Sequence, residues 1–202
     1  MIAALLVLFV FAAGAAPGLA QDASPRSLFE SGQLDAALGA LGEVRDRGEA
    51  RPEDLFLAAQ ILIKQGRHDD ARAEFERMKQ SGDPVWASIA ESGLGVLADD
   101  NQRALDAANR AVAEAPDRFF AQYQLGLAKA RFEDWAGCAE AFGRAAEIDP
   151  EFAYAHYYAG LSYSRIRRAD KTSEHFERFL KLAPDAPERA AVESLMRTLR
   201  GR

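Results

Sequence analysis

Pro116, Pro150 and Pro184 recur at one constant interval, and each closes a helix-forming segment, AVAEAP, AAEIDP and FLKLAP. Proline lacks an amide N–H and clashes with the turn before it, so each is expected to stop a helix. A fixed period of this size constrains the chain strongly. A unit that short cannot bury an apolar face alone and must stack on its neighbours. Residues 119–152 overlay 153–186 without a gap and share nine identities: Ala121/Ala155, Tyr123/Tyr157, Gly126/Gly160, Leu127/Leu161, Arg131/Arg165, Glu140/Glu174, Phe142/Phe176, Arg144/Arg178 and Pro150/Pro184. Average composition would give about two or three.

The repeat has the period of about 34 residues that typifies the tetratricopeptide family, and it resembles that family in sequence. The family pattern W-x2-L-G-x2-Y, A-x3-F, P is represented by Leu125-Gly126, Cys138-x3-Phe142 and Pro150. The next unit has Ala159-Gly160-x2-Tyr163, Thr172-x3-Phe176 and Pro184. Two antiparallel helices would cross where Gly126 and Gly160 lack side chains, with Phe142 and Phe176 filling the space beside them. Gln122 and His156 replace the pattern's tryptophan, and Glu133 and Arg167 replace its turn glycine. Upstream, Leu55–Gln65, Gly66 and Ala71-x3-Phe75 form a unit ended by Asp83-Pro84. Residues 85–116 form a shortened one, its loop about three residues short, with Leu94-Gly95, the turn Asp99-Asp100-Asn101 and Ala104-x3-Ala108. Arg26–Ser31, Gly32 and Ala37-x3-Leu41 read as a clipped first unit, with a disordered stretch as the competing reading. Ala190, Ala191, Leu195 and Leu199 would give residues 187–200 the buried face of a capping helix. The resemblance therefore implies an all-α, right-handed α-solenoid of antiparallel helix pairs over residues 25–200. Its units are about 25–50, 52–84, 85–116, 119–152 and 153–186.

Residues Ile2–Ala20 carry no charge, and AALLVLFVFAAGAA is followed by Pro17-Gly18-Leu19-Ala20. This reads as a secretory signal cleaved after Ala20, and so as export, to a bacterial periplasm. The missing positive segment before the apolar run leaves an uncleaved inner-membrane anchor as the alternative. Cys138 is the only cysteine, which excludes an internal disulfide. The net charge of −6, with no long single-sign run, disfavours nucleic acid as partner.

The family resemblance implies that first helices line a concave face that binds a protein or peptide. Phe120, Tyr123, Leu127 and Arg131 share one helical face, and Tyr154, Tyr157, Leu161 and Arg165 repeat it one period on. Tyr158, with Gln124 beside it, would extend this surface, and Tyr and Arg are residue types that dominate interface energetics. The same aromatics could instead pack against a neighbouring first helix as core. Arg165, Arg167, Arg168 and Lys171 form the densest basic cluster, read either as an anion grip or as a solvated turn. Some family members clamp a chaperone's terminal carboxylate with Lys and Asn; Tyr123, Leu127, Tyr157 and Leu161 stand there in this chain, so that ligand is not implied.

His68, His156 and His175 are scattered along the chain, without H-E-x-x-H or cysteine partners at zinc spacing, so no metal is expected. The phosphate-loop, dinucleotide and nucleophile-elbow motifs are absent, and Gly93-Leu94-Gly95 falls inside a helical pattern. Asp69-Asp70 and Asp99-Asp100 fall at turns, where carboxylates cap helices. The reading is of a non-catalytic binding scaffold without a cofactor, with self-assembly as the alternative.

Overall fold

The structure is a computed structural model that describes residues 23–200; the expected signal or anchor, residues 1–20, lies outside the described residues. Eleven helices and no strand occur among the described residues: α1 (Pro25–Glu30), α2 (Leu34–Asp46), α3 (Pro52–Lys64), α4 (His68–Lys79), α5 (Pro84–Leu97), α6 (Asn101–Glu114), α7 (Phe119–Ala130), α8 (Trp135–Ile148), α9 (Ala153–Arg165), α10 (Ala169–Leu182) and α11 (Arg189–Arg200). Consecutive helices pack on one another, and α5 also reaches α7, as stacked helix pairs require.

Proline plays two roles. Pro25, Pro52 and Pro84 open α1, α3 and α5, where a missing N–H costs nothing. Pro84 therefore starts a helix as well as following the unit before it. Pro116, Pro150 and Pro184 come just after α6, α8 and α10. The residue before each, Ala115, Asp149 or Ala183, takes an extended φ of −143°, −123° or −124°, because the proline ring excludes helical geometry there. Side chains finish several N-termini. Asp100 Oδ1 accepts from the Arg103 N–H at 3.1 Å, and Asp134 Oδ1 from that of Gly137 at 2.9 Å.

The turn inside each pair needs one residue at positive φ. Gly32 (79°), Gly66 (74°), Asp99 (55°), Glu133 (55°) and Arg167 (60°) fill this position in the five pairs. The shortening seen in the sequence is not in the turn of α5 and α6, which is as long as that of α9 and α10. It is at the start of the unit, where Pro84 is itself the first residue of α5, whereas α7 begins at Phe119, three residues after Pro116.

Three of the five pairs close on a glycine. A Cβ on Gly126 would come 2.7 Å from the Phe142 ring, and one on Gly160 2.5 Å from that of Phe176. In the α5–α6 pair the close approach is backbone to backbone, since a Cβ on Gly95 would lie 2.7 Å from the Ala104 nitrogen. Gly93 instead faces the Phe75 ring of the preceding pair.

The cap differs in phase from the expected one. Val192 and Met196 are its buried residues, whereas Ala190 and Ala191 are exposed and Leu195 is 39% exposed. The helix rolls so that 192 and 196, one turn apart, meet Phe176, Phe179 and Ala183 of the last pair.

A solenoid of this kind is quasi-one-dimensional, with each unit touching only its neighbours. This one also closes on itself. Arg26 of α1 pairs with Asp149 at 2.7 Å, and its guanidinium lies 4.6 Å from the centre of the Phe152 ring. Glu30 Oε1 accepts the Ala153 N–H at 2.9 Å, and Phe29 meets Tyr154 at 4.7 Å between centroids. Burial pushes the Glu30 carboxyl above its usual range, against the opposing pull of the Ala153 amide and Arg26. The first pair thus reaches the start of the fifth.

Candidate functional site

The inner face is built by odd-numbered helices, and closure turns most of it into core. Tyr123 (2% exposed) is ringed by Phe56, Phe119, Phe142, Phe152 and Tyr158 with centroids 5.4–6.0 Å away. Tyr154 is 1% exposed and packs on Phe29, Tyr157, Tyr158 and Phe179. Phe120 lies between Phe56 and Trp86, at 5.2 and 5.0 Å.

What remains open is a cavity of about 300 Å³. Tyr123, Leu127, Tyr157, Tyr158 and Leu161 line it, five of the nine residues singled out from the sequence. Phe29, Gln60, Ile63, Lys64, Phe75, Gly93, Val96, Gln124 and Glu188 complete the lining. Burial pushes the Tyr158 hydroxyl up to about 12 and the Tyr123 hydroxyl well above its ordinary value, so both are neutral phenols at any physiological pH.

One side of the cavity carries a closed ionic bridge. Lys64 Nζ of α3 donates to Glu188 Oε1 at 2.6 Å and to the Tyr154 hydroxyl at 2.8 Å, and that hydroxyl donates to Glu188 Oε2 at 2.8 Å. Burial works to raise the Glu188 carboxyl, but Lys64 and Tyr154 outweigh it and hold it below its usual range. Gln124, 1% exposed, donates from Nε2 to Ser92 Oγ at 3.0 Å, while its Oε1 has no partner among the described residues.

The other singled-out residues lie elsewhere. Arg131 pairs with Asp99 at 2.5 Å and bonds Asn101 at the edge of the stack, and Arg165 sits over the Trp135 ring at 5.3 Å. Arg168 and Lys171 pair with Asp170 and Glu174, which neutralises two members of the basic cluster. Sequence reading missed Phe29, Lys64 and Glu188. They enter the site only because the chain ends meet, and no local pattern marks that.

It also treated the histidines as scattered, whereas the fold brings two together. His156 Nδ1 lies 3.2 Å from His175 Nδ1, and His156 Nε2 donates to the Pro150 carbonyl at 3.1 Å. Gln122, at the same place in the preceding repeat, makes the equivalent bond from Nε2 to the Pro116 carbonyl at 2.8 Å. His156 thus holds a structural position of the repeat. Burial lowers both imidazoles, that of His175 to about 4. Among the described residues no group of three or more His, Cys, Asp or Glu is placed to hold a metal. Cys138 is buried with its thiol pushed up to about 11 by desolvation, and its Sγ donates to the Gly126 carbonyl at 3.4 Å. That describes an inert packing thiol.

Helix pairs that each turn through one left-handed residue and stack in series define an α-solenoid repeat protein. Residues 26–84 match the tetratricopeptide repeat family. The match covers those residues, and the helix pairs that follow them share the fold. The chain's fold is shared with a thermophilic tetratricopeptide-repeat protein of Thermus thermophilus at 16% identity, covering 88% of this chain and 96% of that one, with a TM-score of 0.62. It is also similar to YrrB, described as having an unusual peptide-binding site, at 19% identity, coverage of 84% and 88%, and a TM-score of 0.52. The first repeat domain of Spaghetti (RPAP3), bound to the HSP90 peptide SRMEEVD, matches at 14% identity, coverage of 58% and 90%, and a TM-score of 0.52. No curated protein sequence matches the chain.

Proposed function

We propose that this protein is a non-catalytic scaffold of the cell envelope that binds another protein or peptide at the cavity on its inner face. The observation that carries the reading is the convergence of Tyr123, Leu127, Tyr157, Tyr158 and Leu161 on one opening rimmed by Lys64 and Glu188. A concave, mostly apolar lining with a few polar groups is the usual form of a recognition site. Placement in the envelope rests on the uncharged run Ile2–Ala20. No helix among the described residues is long and apolar enough to cross a membrane.

The test compares capture from envelope extract by the unaltered chain, Leu161→Arg and Glu114→Lys. Leu161 lines the cavity, whereas Glu114 is exposed on α6. Loss of the captured partner with Leu161→Arg and its retention with Glu114→Lys, both at unchanged helicity, is the expected result. Undiminished capture by Leu161→Arg would sink the reading. Intact mass of the recovered protein tests export: a chain starting at Gln21 fits cleavage, and one starting at Met1 in the membrane fraction fits the anchor.

Self-assembly is the second reading, favoured by the exposed Ala190, Ala191 and Leu195 on the terminal helix. Light scattering decides it, since a strict monomer at micromolar concentration removes this option.

A further inference from the structure

Recognition at this cavity can be made more specific, on the basis of the binding reading above. We propose that the cavity takes a neutral, planar aromatic group bearing a single hydrogen-bond donor, the indole of tryptophan or the phenol of tyrosine on a bound polypeptide. Four observations converge on this chemistry.

The first is size. About 300 Å³ is the small end of the range for ligand pockets, enough for a side chain and too little for a folded segment. The second is the wall: Tyr123, Tyr157 and Tyr158 present rings, and Leu127 and Leu161 present branched aliphatic surface. Rings attract a further ring edge-on or offset, beyond the gain from burial alone.

The third is Gln124. It lines the cavity and is almost fully buried, its Nε2 is committed to Ser92, and its Oε1 lacks a protein partner among the described residues. A buried carbonyl left unpaired is costly, so an occupant that donates one N–H or O–H there gains over one of equal shape that cannot.

The fourth is charge. Lys64 and Glu188 neutralise each other, and the Lys64 ammonium already lies 4.5 Å from the centre of the Tyr154 ring. A cationic guest would face that ammonium, and an anionic one would face the Glu188 carboxylate. Closure decides the manner of entry. Phe29 on Tyr154 and the Lys64–Glu188 bridge span the inner face, so a single projecting group enters where a long extended backbone does not.

Calorimetry on the intact chain tests this with indole, benzofuran (the same shape without the N–H), tetramethylammonium and a capped Gly-Gly-Trp-Gly-Gly peptide. Indole is expected to bind saturably and benzofuran roughly five- to tenfold more weakly, the worth of one hydrogen bond. Gln124→Met should remove that difference. Leu161→Trp, which fills the cavity from within, should abolish both interactions and keeps the test decisive if Gln124→Met fails to fold. Peptide binding at least as tight as indole assigns the group to a polypeptide; indole binding without peptide binding overturns that assignment. Equal affinity for indole and benzofuran, tighter binding of tetramethylammonium, or indole binding that survives Leu161→Trp overturns the proposal. Absent indole binding with Leu161-dependent partner capture intact removes this inference and leaves the scaffold reading standing.

Discussion

Glu133 and Arg167 hold a left-handed backbone at φ of 55° and 60°, a conformation that Gly66 adopts at 74° at the equivalent place two and three pairs earlier. A Cβ makes this region unfavourable by roughly 1 kcal/mol or more, whereas glycine enters it freely. Glu133→Gly and Arg167→Gly are each expected to raise stability by about 1 kcal/mol, and Gly66→Ala to lower it comparably; urea unfolding measures all three. The buried histidines set a pH dependence. His175 faces His156, Glu174, Lys171 and Glu147 and stacks on Tyr163, while His156 faces Arg178, Glu151 and Glu174. With folded pKa values below that of a free imidazole, the unfolded chain takes up protons first as pH falls. Their contribution is therefore complete above about pH 6.5 and is lost between there and about 4. His175 alone is expected to account for about 2 to 3 kcal/mol of that loss, and His175→Gln should flatten the stability curve over this window. An unchanged curve would show that the pair does not stay neutral on folding.

At the scale of the element, one substitution has opposite signs according to what faces it. Gly126→Ala would drive a Cβ into the Phe142 ring and should cost about 1 to 3 kcal/mol, as overpacking does. Gly39, exposed on α2 with nothing within 4 Å of its absent Cβ, only weakens its helix. Gly39→Ala should add about 0.5 to 1 kcal/mol. A Gly126→Ala variant of full stability would mean that the helices of that pair can part without cost. The pairing was legible in advance because the glycine and the phenylalanine it meets lie within one repeat, on consecutive helices. The roll of α11 was not. Its sequence offers two neighbouring apolar faces, and contact with Phe176 and Phe179 selects the one bearing Val192 and Met196.

The whole molecule is set apart by its closure. Contacts of α1 with residues 149–154 span 123 residues of chain, so their loss should act on the shape of the stack rather than on any one pair. Phe29→Ala is expected to cost about 3 kcal/mol, the usual toll for a buried phenylalanine. It should raise amide exchange in α1 and at the start of α9 while the α6–α8 interior stays protected. Uniform loss of protection would instead make the chain one cooperative unit. Arg26 and Asp149, each about one-third exposed, should couple by no more than about 1 kcal/mol in a double-mutant cycle. The sequence by itself determined the repeat, its register and the helices that form it, because prolines, turn residues and the glycine–phenylalanine pairs act over one unit of chain. Only the tertiary structure decided which face stays open. Tyr154 and Leu161 carry the same kind of periodic signal, yet Phe29, Lys64 and Glu188, brought in by closure, bury the first and leave the second lining a cavity. Burial across such separations depends on how small turns between units accumulate, and no single stretch of sequence encodes that sum.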